Sequence, residues 1–433
     1  MRGYWWRPSL NRPPRKEEEA EVAAPIFIDE AQVGAYIETL ARFGAFQETG
    51  VRRLVYSPEW VAAMDQCRNW AQQEGLEVSN DAVGNLWARI PGTSPGQSIV
   101  TGSHIDSQRS GGRYDGALGA IGGILALGAL KAQVGTPKRT LEAVVLCEEE
   151  GSRFPTAGFW GSRAIVGKIS PDDAESVLGY GGETIADAMR GVGLDPCDIA
   201  SAQRNDIETF IELHIEQGPV LEDAGLSVAI VDAITGIAQF EVTLNGEQNH
   251  AGAFTMDLRR DPMAGFAEIT GRVIDYAHRL GRPAVTTVGR CDVDPGASAI
   301  IPRSVRFSID ARHPDSEARN RMYSVHDALI REVVQRRGLD VKIRKMIDLE
   351  PCKSDPGLLN ALQSGADLQG IETLTMPSGA GHDTQQMSLI CKTAMVFVRS
   401  AGGRSHTPEE FSTVSDCAKG IRVVAEALRQ QAY

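Results

Sequence analysis

The feature that most constrains this chain is Gly102-Ser103-His104-Ile105-Asp106, followed by Tyr114-Asp115-Gly116 and then by the triplet Glu148-Glu149-Glu150. A carboxylate held between two divalent cations, with an imidazole beside it, lowers the pKa of a shared water toward neutrality, and an adjacent glutamate can take the proton. The stretch therefore reads as half of a hydrolytic metal site.

At 433 residues the chain exceeds what one hydrophobic core usually organises, which predicts two domains. Hydrophobic residues make up 42% and charged residues 23%, so neither a fibre nor wholesale disorder is indicated. A net charge of -13 without a basic stripe argues against nucleic acid as a partner. The 7 cysteines are scattered without a CxxC pair and odd in number, which fits reduced thiols and a cytoplasmic setting. Residues 1–25 mix Arg, Trp and Pro with an acidic run and lack an apolar signal core of about 7 to 15 residues, so a mobile tail is expected. Ala117 to Leu130, the longest low-polarity stretch, is too short to span a bilayer and predicts a buried helix with no membrane role.

Between residues 29 and 75, Val33, Tyr36, Ile37 and Leu40, and then Trp60, Met64, Cys67 and Trp70, recur at helical spacing, with Ser57-Pro58 as a helix start. Short apolar runs follow at 85–89, 98–101 and 141–147, interleaved with the helix after Asp115. This alternation predicts an α/β catalytic domain with a mainly parallel central sheet flanked by helices, over 26–225 and 342–433. Between 226 and 341 the pattern changes to alternating strands around two helices, 262–280 and 316–336, which predicts an inserted α+β, ferredoxin-like lid domain. Its exposed sheet edge is a candidate for pairing with a second copy.

Of the 8 histidines, His278, His313 and His326 lie in polar or helical surroundings and read as bland surface or structural residues. His104, His214, His250, His382 and His406 each lie among Gly, Ser, Asp or Glu at strand ends. Singly, each is more simply a hydrogen-bonded structural histidine; together they point to a metal. Asp106, two residues after His104, suits a carboxylate that orients the imidazole or a neighbour. Asp115 sits in a glycine-rich turn where its carboxylate can reach two cations, or can cap the following helix. The triplet 148–150 can supply one glutamate to a metal and leave a neighbour free as base, and the sequence leaves open which two.

At this point the chain resembles the carbamoylase and allantoate amidohydrolase branch of the M20 metallopeptidase-like amidohydrolases. The matching segments are GSHIDSQRSGGRYDGALG, EEEGSRF, ELHIEQGPVLE, NHAG with MDLRRD, FSIDAR, PSGAGHDTQQMS and RSHTPEE, in that order. The resemblance implies that His104, Asp115 and His214 bind one divalent ion, and that Asp115, Glu150 and His406 bind a second. Glu149 then becomes the general base and Asp106 the supporting carboxylate. Zn2+ suits such N/O donors, and Mn2+, Co2+ or Ni2+ would also be accepted. The resemblance further implies a substrate shell of Gln217, His250, Arg312 and Gly381, with His382 close by. Arg312 would clamp a substrate carboxylate, and His250 would donate to the oxyanion from a neighbouring subunit, which requires a homodimer formed through the 226–341 domain. The implied activity is hydrolysis of the linear C–N bond of an N-carbamoyl amino acid or related ureido acid; an N-acyl amino acid deacylase or dipeptidase is the alternative, and a non-catalytic ligand-binding homologue a third reading. The chain departs from the family pattern at Ala299, where Asn is usual, at Ala253-Phe254-Thr255, and at Arg303, where Gly is common. The loss of a hydrogen bond at such a position, about 0.5 to 1.5 kcal/mol, alters substrate preference more readily than metal chemistry.

Overall fold

The computed structural model describes residues 24–433; the expected tail, 1–25, lies outside them apart from Ala24 and Pro25. The expected helices form as Glu30–Leu40, Pro58–Gln73 and Ala117–Gln133. Ser57 caps the second through the Trp60 N–H, with Pro58 at the first helical position.

The larger sheet has nine strands. At its centre Lys392–Val398, Ile207–Ile215, Ser98–His104 and Leu141–Leu146 lie side by side and parallel. The flanking strands Leu86–Ile90 and Val228–Ile234 pair antiparallel with this block, so the sheet is mixed, not mainly parallel. Both faces are covered. On Leu141–Leu146, Leu141, Ala143 and Val145 point into the core shared with helix Ala117–Gln133, while Val144 and Leu146 enter a second core with Phe210 and Met387. Parallel strands point their carboxyl ends to one edge, which is where open α/β sheets collect ligands. Gly102 shows how closely they pack: a Cβ there would lie 1.9 Å from the Val144 carbonyl oxygen.

The smaller sheet is antiparallel, with Gly236–Asn245 between Ser304–His313 and Asp340–Leu349. Val285–Thr287 and Cys291–Asp294 pair with the outer side of Ser304–His313. With helices Pro262–Leu280 and Ser316–Arg336 this gives the β-α-β-β-α-β order of a ferredoxin-like unit. One face carries a core of Val242, Leu244, Ile269, Val273, Phe307 and Val333, and the other stays wet. Sheet membership moves the expected junctions. Val228–Ile234 belongs to the larger sheet and Asp340–Leu349 to the smaller, so the chain crosses near 235 and 350 instead of 226 and 341. An apolar run such as Val228–Ile234 fits either unit until its partners are seen. No helix among the described residues is long and apolar enough to cross a membrane.

Candidate metal centre

The carboxyl ends of the four central strands assemble the site. His104 is the last residue of its strand, His214 the penultimate of its own, and Glu148–Glu150 follow the strand end Leu146 after Cys147. Asp115 lies on the loop leading into helix Ala117–Gln133, and His406 on the loop after Val398. Gly116, at φ 62°, is required here, since a Cβ would meet the His104 ring at 2.3 Å. Gly116, without a side-chain cap, occupies the N-cap position, so Asp115 is not the helix cap.

Asp115 divides its two oxygens. Oδ1 lies 3.1 Å from His214 Nε2 and 3.6 Å from His104 Nε2, whereas Oδ2 lies 3.4 Å from His406 Nε2. His406 Nε2 is also 3.4 Å from Glu150 Oε2. Two groups of potential ligands result, His104/Asp115/His214 and Asp115/Glu150/His406, each with donor atoms within 4.8 Å of one another. The imidazole tautomers favour a cation. His104 Nδ1 donates to the Asp106 carbonyl (3.1 Å) and His214 Nδ1 to the Ile215 carbonyl (3.0 Å), so a neutral ring in either place turns its Nε2 lone pair toward Asp115 Oδ1. Facing carboxylates, the two rings are held above the ordinary histidine range despite their burial, and a cation bound between them and Asp115 would take the proton's place. Glu150 Oε1 is buried without a hydrogen-bond partner, another free donor. No Lys or Arg among the described residues ion-pairs with Asp106, Asp115, Glu149 or Glu150. The donor set therefore fits divalent cations bound by N and O ligands.

The glutamate triplet is resolved by geometry. Glu148, at φ 48°, is fully buried and accepts the Phe154 N–H at 2.9 Å. Glu150 joins Asp115 and His406, while Glu149 lines the cavity outside both groups, with Oε2 3.8 Å from His104 Nε2. Burial pushes Glu149 well above the ordinary carboxylate range, and burial together with Asp115 pushes Glu150 up to about 7. Burial alone would raise Asp115 too, but His214, His104 and His406 hold it well below the usual range. Asp106 supports the site through both its carbonyl and its carboxylate. Its carbonyl orients His104, and its carboxylate oxygens accept the Glu149 and Glu150 N–H groups, each at 3.2 Å.

One cavity of about 380 Å³ is lined by His104, Asp115, Glu149, Glu150, His214, Gln217, Arg312, Gly381, His382 and His406. Gln217 Nε2 donates to Asp115 Oδ2 at 2.8 Å. His382 is buried, with its ring edge-on to His214 at 4.6 Å and Nε2 2.9 Å from Ser378 Oγ. Arg312 spends Nε and Nη2 on Asp310 and Nη1 on the Gly379 carbonyl, so three of its donors are engaged. Of the expected substrate shell, His250 alone lies outside the cavity; it is exposed on the smaller unit, and its Nδ1 accepts the Gly252 and Ala253 N–H groups at 3.0 and 3.1 Å. That tautomer leaves Nε2–H as an outward donor.

Sequence reasoning missed two supports. Glu410 accepts the Tyr114 and Asp115 N–H groups (2.8 and 3.0 Å) and the Ser405 hydroxyl (3.0 Å), tying the Asp115 turn to the His406 loop. Glu212 is fully buried and accepts from Ser103 Oγ (2.7 Å) and Thr384 Oγ1 (2.6 Å) behind the site. The available signals were the last residue of RSHTPEE and the alternation Glu212/His214/Glu216 on one strand face. Among the described residues, four of the six non-glycine positions with positive φ, Glu148, Phe159, Gln217 and His406, border this region, and strained backbone concentrates at functional sites.

Residues 100–430 match the model of peptidase family M20/M25/M40. Among curated relatives, the allantoate amidohydrolase of Bacillus subtilis (strain 168) is 40% identical, covering 92% of this chain and 97% of its own. The N-carbamoyl-L-amino-acid amidohydrolase of Pseudomonas sp. (strain NS671) is 37% identical over 93% of this chain and 98% of its own. A crystal structure of a hydantoinase/carbamoylase family amidase from Burkholderia multivorans superposes with a TM-score of 0.86 at 30% identity, covering 94% of this chain and 98% of that one. Fold, site and relatives together define a metal-dependent amidohydrolase. The chain belongs to the M20/M25/M40 family.

Proposed function

We propose that the protein hydrolyses the linear amide C–N bond of an N-carbamoyl amino acid or related ureido acid. It does so with one divalent ion held by His104, Asp115 and His214 and a second by Asp115, Glu150 and His406. The observation that carries this reading is the split of the Asp115 oxygens between two imidazole groups. Zn2+ is the ion of choice for these donors, and Mn2+, Co2+ or Ni2+ would also be accepted. Such cations, when bound, polarise a carbonyl and bring water to a pKa near 7. Glu149, the carboxylate left outside both groups, takes the proton from the attacking water and returns it to the leaving nitrogen. Arg312 meets the substrate carboxylate with the two N–H groups that Asp310 and Gly379 leave free of its five. Gln217, Gly381 and His382 shape the pocket beside it. His250, facing away from its own cavity, donates its Nε2–H to the oxyanion in the site of a second copy, which makes the working form a homodimer joined through the smaller unit. All seven cysteines are free, in keeping with a reducing cytoplasm.

The test is Glu149→Gln, assayed on N-carbamoyl amino acids beside N-acetyl amino acids. Bound metal should stay at the wild-type level while kcat falls about 100- to 10,000-fold. Wild-type turnover in the variant removes Glu149 from the role, and turnover of N-acetyl substrates alone overturns the ureido assignment. A mixture of E149Q and H250A chains, each inactive alone, should regain activity through the hybrid site.

A further inference from the structure

The geometry points to a subsite for a bulky apolar side chain beside the metal-ligand cavity, which makes the substrate an N-carbamoyl amino acid carrying such a side chain; this rests on the function proposed above. A second cleft, of about 750 Å³, shares Gln217, Arg312, Ala380 and His406 with the first cavity. Beyond the shared residues its walls are mostly apolar, with Pro219, Val220, Met376 and Phe397 from the larger unit and Pro283 and Val285 from the smaller, and with hydroxyls at Thr235, Ser378 and Ser405. Val285, an apolar side chain, is 47% exposed among the described residues. Of the charged residues in the lining, Glu216 is occupied by the Val220 and Leu221 N–H groups, at 2.6 and 2.9 Å. Arg282 is exposed.

The two spaces therefore differ in chemistry and meet at Arg312. A molecule spanning them needs a polar, hydrolysable end over Asp115 and Glu149, a carboxylate at Arg312 and an apolar branch beyond it. An N-carbamoyl amino acid has that layout, because its α-carbon carries all three substituents. A second ureido group placed in the cleft would exchange water for a mostly apolar wall whose hydroxyls, on Thr235, Ser378 and Ser405, are already hydrogen-bonded within the chain, which is unfavourable.

The test uses the full chain reconstituted with Zn2+ and compares kcat/KM for N-carbamoyl-L-leucine, N-carbamoylglycine, N-carbamoyl-L-glutamate and allantoate. The leucine derivative should exceed each of the others by at least about tenfold, the discrimination that a methylene or two gives in an apolar pocket. Val285→Asp, at an exposed position, should drive the leucine-to-glycine ratio toward one. A preference for allantoate, for the glycine or for the glutamate derivative overturns the subsite while leaving ureido hydrolysis intact, as does an unchanged ratio in the variant. Failure to turn over any ureido acid overturns the proposed function and the subsite with it.

Discussion

The two sheet units bury different kinds of side chain. Between residues 236 and 349 the only buried polar or charged residues among those described are Arg319 and His326, and the rest of the core is aliphatic and aromatic. The carboxyl edge of the larger sheet buries His104, Asp106, Asp115, Glu148, Glu212, His214, His382, Asp383 and Glu410. Burial pushes Asp383 and Glu410 up to about 7, as it does Glu150. The smaller unit is thus held mainly by amphipathic packing, with its one buried arginine, Arg319, paired to Asp348 and Glu350. The larger one keeps a concentration of acids that costs stability until positive charge joins it, so the site and the weakest electrostatics coincide.

The strongest way to break this contrast is Asp115→Ala, which removes the carboxylate that both ligand groups share. Chelator-treated wild type should take up two divalent ions per chain and unfold at a higher temperature as they bind. Binding to the native state alone contributes about 2.7 kcal/mol at a ligand concentration a hundredfold above Kd. The variant should lose that rise, and several kcal/mol of transition-state stabilisation with it, on the order of 1,000-fold in kcat. An equal thermal shift in both proteins would show that the acids at the sheet edge are not what the ions relieve.

Much of this was legible in the chain because the signals were local. Helix periodicity placed Pro262–Leu280 and Ser316–Arg336 to the residue, and the glycine-flanked His104 and Asp115 marked the turns of the site. The mixed character of the sheet was hidden, since strands buried on both faces read alike whichever way they run. The junctions were misplaced for the same reason. Glu212 and Glu410 escaped because their function is to receive hydrogen bonds from residues 109 and about 300 positions away, a relation that no short window contains. His326, expected to be bland, proved to be almost fully buried, with its ring edge-on to Tyr276. The helical spacing of Met322, His326, Ile330 and Val333 places it on the inward face, although the residue type gives no such hint.

His326 sharpens the contrast from the other side. Burial lowers its pKa from 6.5 to about 4, against a weak opposing contact from the Val273 backbone. The folded protein therefore holds the ring neutral where the unfolded chain would bind a proton. The stability this provides is complete above about pH 6.5 and is lost as pH falls toward 4, up to about 3 kcal/mol in all. His326→Leu should flatten the dependence: between pH 7 and 4.5 the urea midpoint of the wild type should fall further than that of the variant. Equal slopes would mean that the ring gains a proton without leaving its pocket.

The smallest expected effect probes the point where the smaller unit reaches outward. The Ala299 carbonyl accepts the Ala251 N–H at 3.0 Å, and His250 pairs with Ile300 across the short ladder of Asn249–His250 and Ile300–Ile301. Residue 299 and His250 thus share one turn, and whatever receives the imidazole also receives the side chain at 299. Ala299→Asn supplies an amide there. One added hydrogen bond of about 0.5 to 1.5 kcal/mol should lower KM for a ureido acid by roughly two- to twelvefold and leave kcat unchanged. A change in kcat without a change in KM would place residue 299 at the reacting bond instead of the binding surface. No change in either would separate it from His250, and the smaller unit would then contribute His250 and Arg312 without residue 299.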